Sequence, residues 1–334
     1  MVAVSLFHPF GDFEQVVEAS LCAEEQGFEG VLFGEHHGTP GNDRPQLLIL
    51  LAGLAARTKR IRLGTSILLS PLYDPVWVAE AAAQVDVMSK GRLILGLGLG
   101  YQPQDFQHFG IRFDRRVSRF EEGIEVIRKA WSGQPFSFSG KRFRYGDVSV
   151  YPKPVQQPHP PIWLAAWSLA GARRAGRLGD AYVTDPIQNL RATTAFADAY
   201  RASAADAGRP AEVVIMRELL CAPSRQESLD RYAQGLVATY RYYWQNKGFS
   251  AEFEHEVNAI ADPADLTFEL LAKDRVIHGT PADCLGQLEQ WVKRVGASHV
   301  QVSVPYAFRD LSQERQLETI AYVGKELVPA LNRL

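Results

Sequence analysis

A chain of 334 residues is long for one average domain but ordinary for an α/β barrel carrying insertions. Hydrophobic residues make up 46% of it and charged residues 22%, the balance of a chain that buries a large core. The formal net charge of -2 gives no electrostatic reason to expect nucleic acid or an anionic membrane as partner, though it leaves room for a local site holding a small anionic cofactor. The opening MVAVSLF has no basic flank and no long apolar run, so neither a signal peptide nor a membrane span is expected, and the expected location is cytoplasmic. Cys22, Cys221 and Cys284 are far apart and lack ligand spacing, which predicts core thiols rather than a disulfide or a metal site.

In chain order, residues 2–7 read as a strand and 12–26 as a helix stopped by Gly27. A strand over 30–35 and a helix over 45–57 follow, then a strand over 61–69 and a helix over 75–89 with Pro75 suited to the first turn. Residues 93–99 form the fourth strand and 115–131 the long helix after it. Residues 136–151 read as a small hairpin outside the repeat, with Gly140 and Gly146 as turn residues. Five prolines between 152 and 161 make a rigid connection to the fifth strand, 162–166. Helix 169–178, strand 181–184, helix 190–207 and strand 213–220 continue the alternation. Residues 221–278 are too long for one connection and read as an excursion, a candidate lid, after the seventh strand. Helix 280–295, strand 300–304 and helix 313–331 complete the chain. Eight nearly continuous apolar strands, each followed by a helix, predict a single (β/α)8 TIM barrel over residues 1–334, with a hairpin before strand 5 and an insertion after strand 7.

Active sites in such barrels form where strands end. The strand ends here offer His8, Glu35-His36-His37, Ser66, Gly98-Leu99-Gly100-Tyr101, Trp167-Ser168, Asp185, Arg217 and Tyr306. His36 and His37 are the catalytic candidates, because imidazoles move protons near neutrality; an isolated His pair would instead read as loop-stabilising. His8 and Tyr306 are the candidates for substrate contact. The glycines at 96, 98 and 100 remove Cβ atoms from one face, so that a flat ring or another backbone can approach, and they do not fit the dinucleotide fingerprint. Ser168 suits a helix N-cap, while the same helix start, Ser168-Leu169-Ala170-Gly171, suits a phosphate. The aromatic and basic run from Tyr232 to Trp244 suits either a pocket lining or a helix packed on the barrel.

Four segments, in order, resemble the bacterial luciferase-like, flavin-dependent monooxygenase family. They are Phe33-Gly34-Glu35-His36-His37; the run from Arg60 to Ser66 with Pro71 and Pro75 beyond; Met88 to Leu93 running into Gly98–Tyr101 and Asp105-Phe106; and Pro161 to Ser168 with Arg177 to Asp180. A fifth, Gly279 to Asp283 with Gly296 to Val300, resembles the family's closing segment.

The resemblance implies a homodimeric barrel that takes reduced FMN from a separate flavin reductase. The flavin would react with O₂ to give a peroxyflavin, which oxygenates a small organic substrate. His36 matches the first His of the family motif, a proposed base. Thr65 and Ser66 match the segment beneath the isoalloxazine, where the family often carries a non-prolyl cis peptide, and Gly98, Leu99, Gly100 and Tyr101 fall beside the cofactor. Ser168 matches a phosphate-binding Ser, with Trp167, Leu169, Ala170 and Gly171 around it. Leu99 stands where luciferase has a phosphate-contacting Arg and Trp167 where it has a Glu, which shifts the expected phosphate grip to Ser168, backbone N–H groups and Arg173 or Arg174. The alternative within the resemblance is a deazaflavin-dependent reductase or dehydrogenase; a non-catalytic flavin-binding protein is the third. No metal is expected.

Overall fold

The computed structural model describes residues 2–38, 45–303 and 312–334. β1 (Ala3–Phe7) leads to α1 (Phe13–Glu25), whose start is closed by a capping box: Asp12 accepts the Gln15 N–H at 3.0 Å and Gln15 accepts the Asp12 N–H at 2.8 Å. β2 (Gly30–Phe33), α2 (Leu47–Arg57) and β3 (Arg62–Thr65) follow. α3 (Pro75–Ser89) has the predicted bounds, because Asp74 caps it, Pro75 opens it and Lys90 ends it in the left-handed conformation at φ 59°. β4 (Leu93–Leu97), α4 (Pro103–His108) and α5 (Arg116–Trp131) precede the antiparallel hairpin of β5 (Phe136–Ser139) and β6 (Arg144–Val148).

The alternation resumes with β7 (Ile162–Ala165), α6 (Leu169–Leu178), β8 (Ala181–Val183), α7 (Leu190–Asp206) and β9 (Glu212–Cys221). The excursion contributes α8 (Arg225–Gln245), α9 (His255–Asn258) and α10 (Phe268–Ala272). β10 (Ile277–Gly279), α11 (Pro281–Val295), β11 (His299–Ser303), α12 (Gln313–Glu326) and α13 (Val328–Leu331) close the chain. The single helix expected over 313–331 is therefore two, broken at Leu327 ahead of Pro329, which lacks an N–H for the ladder. No helix among the described residues is long and apolar enough to cross a membrane.

The main sheet runs β10-β9-β11-β1-β2-β3-β4-β7-β8, and β8 pairs again with β9. Eight parallel strands thus close into the (β/α)8 barrel, with the hairpin outside it. β2, β4 and β11 are buried at every position, as a sheet covered by helices requires. The ninth strand, β10, falls mostly within residues 221–278, which the sequence pattern reads as an excursion. It exists because β9 outruns its neighbours: β11 pairs with Val214–Glu218, which leaves Leu219–Cys221 to pair with β10.

Two compact units make up the chain, one of Met1–Val31, Ala166–Arg177 and Ala181–Leu334, the other of Leu32–Ala165 and Leu178–Asp180. In the first, α8 buries Tyr232, Leu236 and Tyr240 against Ile187, Phe249, Leu271 and Val276, so the run divides: Tyr232 and Tyr240 pack as core, Tyr242 is exposed and Trp244 lines a cleft. In the second, Leu69, Leu72 and Phe106 form a small apolar cluster.

Candidate active site

β2 stops at Phe33, two residues short of its predicted end, which leaves Gly34–His37 as a connection rather than strand. Glu35 is the hub of this connection. Its Oε1 lies 2.8 Å from His37 Nε2 and accepts the Tyr73 hydroxyl, while Oε2 accepts the Leu69 N–H. A carboxylate acceptor assigns the proton to His37 Nε2. Burial and the adjacent Glu35 charge push the Tyr73 hydroxyl well above its ordinary range, so it stays an O–H donor.

The two histidines therefore part company. The His37 side chain is 7% exposed, its backbone N–H donates to Asp105 Oδ1 at 3.2 Å, and its ring meets Phe109 edge-on at 4.7 Å. His36 is 32% exposed; its buried Nδ1 lies 3.9 Å from Asp105 Oδ2 and its ring meets Tyr101 edge-on at 5.8 Å. His36 has the access that proton exchange needs, and His37 holds the loop together. Tyr73 was invisible in the sequence reading, being 38 residues from Glu35 with no motif to mark it. Asp105 stood there only as a family match.

The third strand ends at Thr65 instead of running to Leu69. A cis peptide joins Ser66 to Ile67, and the Ser66 N–H donates to Phe33 O at 2.7 Å. Thr65 is buried and spends its hydroxyl on Gly96 O at 2.6 Å. The open choice at the glycines is resolved by this segment: a Cβ on Gly96 would sit 2.0 Å from Thr65 O, and one on Gly98 would sit 1.8 Å from Ile67 Cδ1. It is the 65–67 segment that fills those spaces. Leu99, Gly100 and Tyr101 are half-buried, and Gly100 has the positive φ of 74° that favours glycine.

Trp167 and Ser168 belong to the other unit. Ser168 is exposed and acts as the N-cap of α6, its Oγ accepting the Gly171 N–H at 3.2 Å and its carbonyl the Ala172 N–H at 2.8 Å. A Cβ on Gly171 would lie 2.5 Å from Ala166 Cβ, so glycine lets the helix start pack closely. Trp167, Ser168 and Leu169 line a cleft of about 640 Å³ together with Trp244, Lys247 and Phe249. Neither Arg173 nor Arg174 lines it. The cation at the cleft is Lys247, which the sequence reading missed; its only signal was its place just past the aromatic run, where it takes φ 55° after α8.

His8, at the end of β1, is half-buried with φ 51° and its ring 5.5 Å from Phe7. Tyr306 lies outside the described residues. Arg217 is fully buried in β9, its guanidinium 4.0 Å above Trp291 and donating to Gln188 O at 2.9 Å and to the Met216 and Asp185 carbonyls. Burial pushes Arg217 down to about 10 and Asp185 up to about 6. Arg217 is thus sealed inside the fold, while Asp185 beside it is half-buried. Cys221 and Cys284 are buried free thiols and Cys22 is half-buried.

The model of the luciferase-like monooxygenase family matches residues 3–299. The F420-dependent glucose-6-phosphate dehydrogenase of Amycolatopsis mediterranei is 28% identical over 85% of this chain and 86% of its own. The oxygenase component of the flavin-dependent trigonelline monooxygenase of Acinetobacter baylyi is 26% identical over 96% of this chain and 90% of its own. The crystal structure of the monooxygenase RslO1 from Streptomyces bottropensis superposes with a TM-score of 0.81 at 25% identity, covering 98% of this chain and 99% of that one.

Proposed function

This chain belongs to the luciferase-like monooxygenase family, and from that premise we propose that it is a monooxygenase that uses reduced FMN and O₂ to oxygenate a small organic substrate. The observation that carries the chemistry is His36, an accessible imidazole whose Nδ1 is turned toward a buried carboxylate. With Nδ1 turned inward toward Asp105, Nε2 is the atom proposed to take or give the proton. General acid–base help of this kind contributes about 10²- to 10⁴-fold. His37 orients the loop through Glu35 and Asp105.

The donor set fits a phosphorylated cofactor. Ser168 is exposed at the start of α6, where first-turn N–H groups lack intrahelical partners, and Lys247 brings a positive charge to the same cleft, which Glu252 also lines. Ser168, the amides of Leu169 and Ala170, and Lys247 would hold the phosphate. Bound reduced FMN would supply the two electrons with which one oxygen atom of O₂ enters the substrate and the other leaves as water. Exclusion of bulk water by the chain is needed so that the oxidant is not lost as peroxide. A separate reductase supplying the reduced cofactor, and a homodimer, belong to the same proposal.

The 28% identity to an F420-dependent dehydrogenase favours a second reading, hydride transfer to or from a deazaflavin without oxygen. Anaerobic titration separates the two. Under the first reading reduced FMN binds at least tenfold more tightly than F420, and admitting air gives an oxygenated product; tighter F420 binding with no oxygen uptake would replace it with the second.

A further inference from the structure

Resting on the active-site reading above, the side chains around His36 also specify the kind of molecule it acts on. Asp105 joins the two histidines, accepting the His37 N–H with one oxygen and facing His36 Nδ1 with the other. Among the described residues, the carboxylates that face the imidazoles are those of Glu35 and Asp105, both buried. Aromatic rings occupy the positions beside them. Tyr101 and Phe109 flank α4, the six-residue helix that carries Asp105, with Tyr101 against His36 and Phe109 against His37. Phe109 is 36% exposed although it is a large apolar side chain. Behind it, Tyr73 lies 5.9 Å from Phe109 and stacks on Trp77 at 5.4 Å.

We infer that the substrate acted on at His36 is an uncharged aromatic compound carrying a hydroxyl or carbonyl, packed against Phe109 and Tyr101, and that carboxylated and phosphorylated substrates are disfavoured there. Aromatic edges and faces are the complement of another ring. An anion would have to give up water beside two carboxylates already buried and committed, and like charge at close range rejects the wrong ligand more strongly than contacts select the right one. A hydroxyl needs only the one acceptor or donor that His36 Nε2 provides. The sugar phosphate in the name of one relative is therefore the wrong class for this surface.

Calorimetric titration of the purified protein without cofactor, at neutral pH, tests this with 2-naphthol, 2-naphthoate and glucose 6-phosphate as probes. The expected result is a Kd for 2-naphthol at least tenfold below that for 2-naphthoate, with no measurable binding of glucose 6-phosphate. Phe109→Ala, at an exposed position, should weaken 2-naphthol at least fivefold and leave the affinity for reduced FMN unchanged. Asp105→Asn should narrow the gap between naphthol and naphthoate. Naphthoate or glucose 6-phosphate binding as tightly as naphthol, no naphthol binding, or a Phe109→Ala variant that binds naphthol like the parent overturns the inference. Reduced FMN is titrated separately: naphthol binding with the predicted preference in a protein that ignores FMN supports the substrate class while removing the FMN reading.

Discussion

Glu35 and Arg217 are both buried charges set by the strands of one barrel, yet the networks around them end differently. Around Glu35 the chain of contacts runs from Tyr73 through the carboxylate to His37, then through Asp105 to an imidazole that is 32% exposed. Around Arg217 every route ends inside: its guanidinium is spent on carbonyls and on the Trp291 face, and Arg275 beside it is spent on the Ile187 and Leu271 carbonyls and on Glu254 at 2.5 Å. Burial does not distinguish the two. An outlet to solvent does, and the proposed chemistry is assigned to the network that has one.

That contrast can be broken most severely at Arg217. Arg217→Leu leaves Asp185 without its nearby cation and several carbonyls without donors, which should cost about 3–5 kcal/mol of stability, read as a fall in the urea midpoint. An unchanged midpoint would contradict that expectation.

Glu218, next along β9, gives a pH signature. Burial raises its carboxyl from 4.5 to about 7, and Asp185 is likewise raised from 3.8 to about 6. Both are protonated in the folded chain while the unfolded chain has already ionised. The fold therefore binds more protons than the unfolded state, and its stability falls as pH rises from about 4 to about 7. Glu218→Gln removes part of that slope: its stability relative to the parent should climb by up to about 3 kcal/mol between pH 4.5 and pH 7. Parallel stability curves for the two proteins would show that Glu218 is not the source.

The smallest effect is expected at the cleft. Lys247→Gln should weaken FMN by a few-fold, about 0.5–1 kcal/mol, because an exposed ammonium is screened, and the difference should shrink as salt is raised. A salt-independent loss would mean that Lys247 acts by shape rather than charge.

Much of this was legible in the sequence where local chemistry fixes the outcome. Asp74-Pro75 and Lys90-Gly91 bracket α3 on their own, and the apolar strands announced a parallel barrel. The pattern failed where tertiary contacts decide. Residues 61–69 read as one strand because Ile67, Leu68 and Leu69 continue the apolar run, yet the strand ends at Thr65 and the chain turns through a cis peptide there. β10 is set by its pairing with the overhanging end of β9, which no local pattern marks. The candidate site was half legible: the His pair stood out by type and position, but the division between His36 and His37 depends on Tyr73 and on which ring nitrogen meets a carboxylate. Lys247 carries no motif and is identified only by the cleft it lines.

The central claim is that His36, and not its neighbour, exchanges the proton. Product formed per O₂ consumed, measured with reduced FMN and a turned-over aromatic substrate, compares His36→Ala with His37→Ala directly. The account predicts that His36→Ala loses about 10²- to 10⁴-fold in coupled turnover at unchanged thermal stability, while His37→Ala loses stability first and activity with it. Coupled turnover at the parent's level in His36→Ala would contradict it.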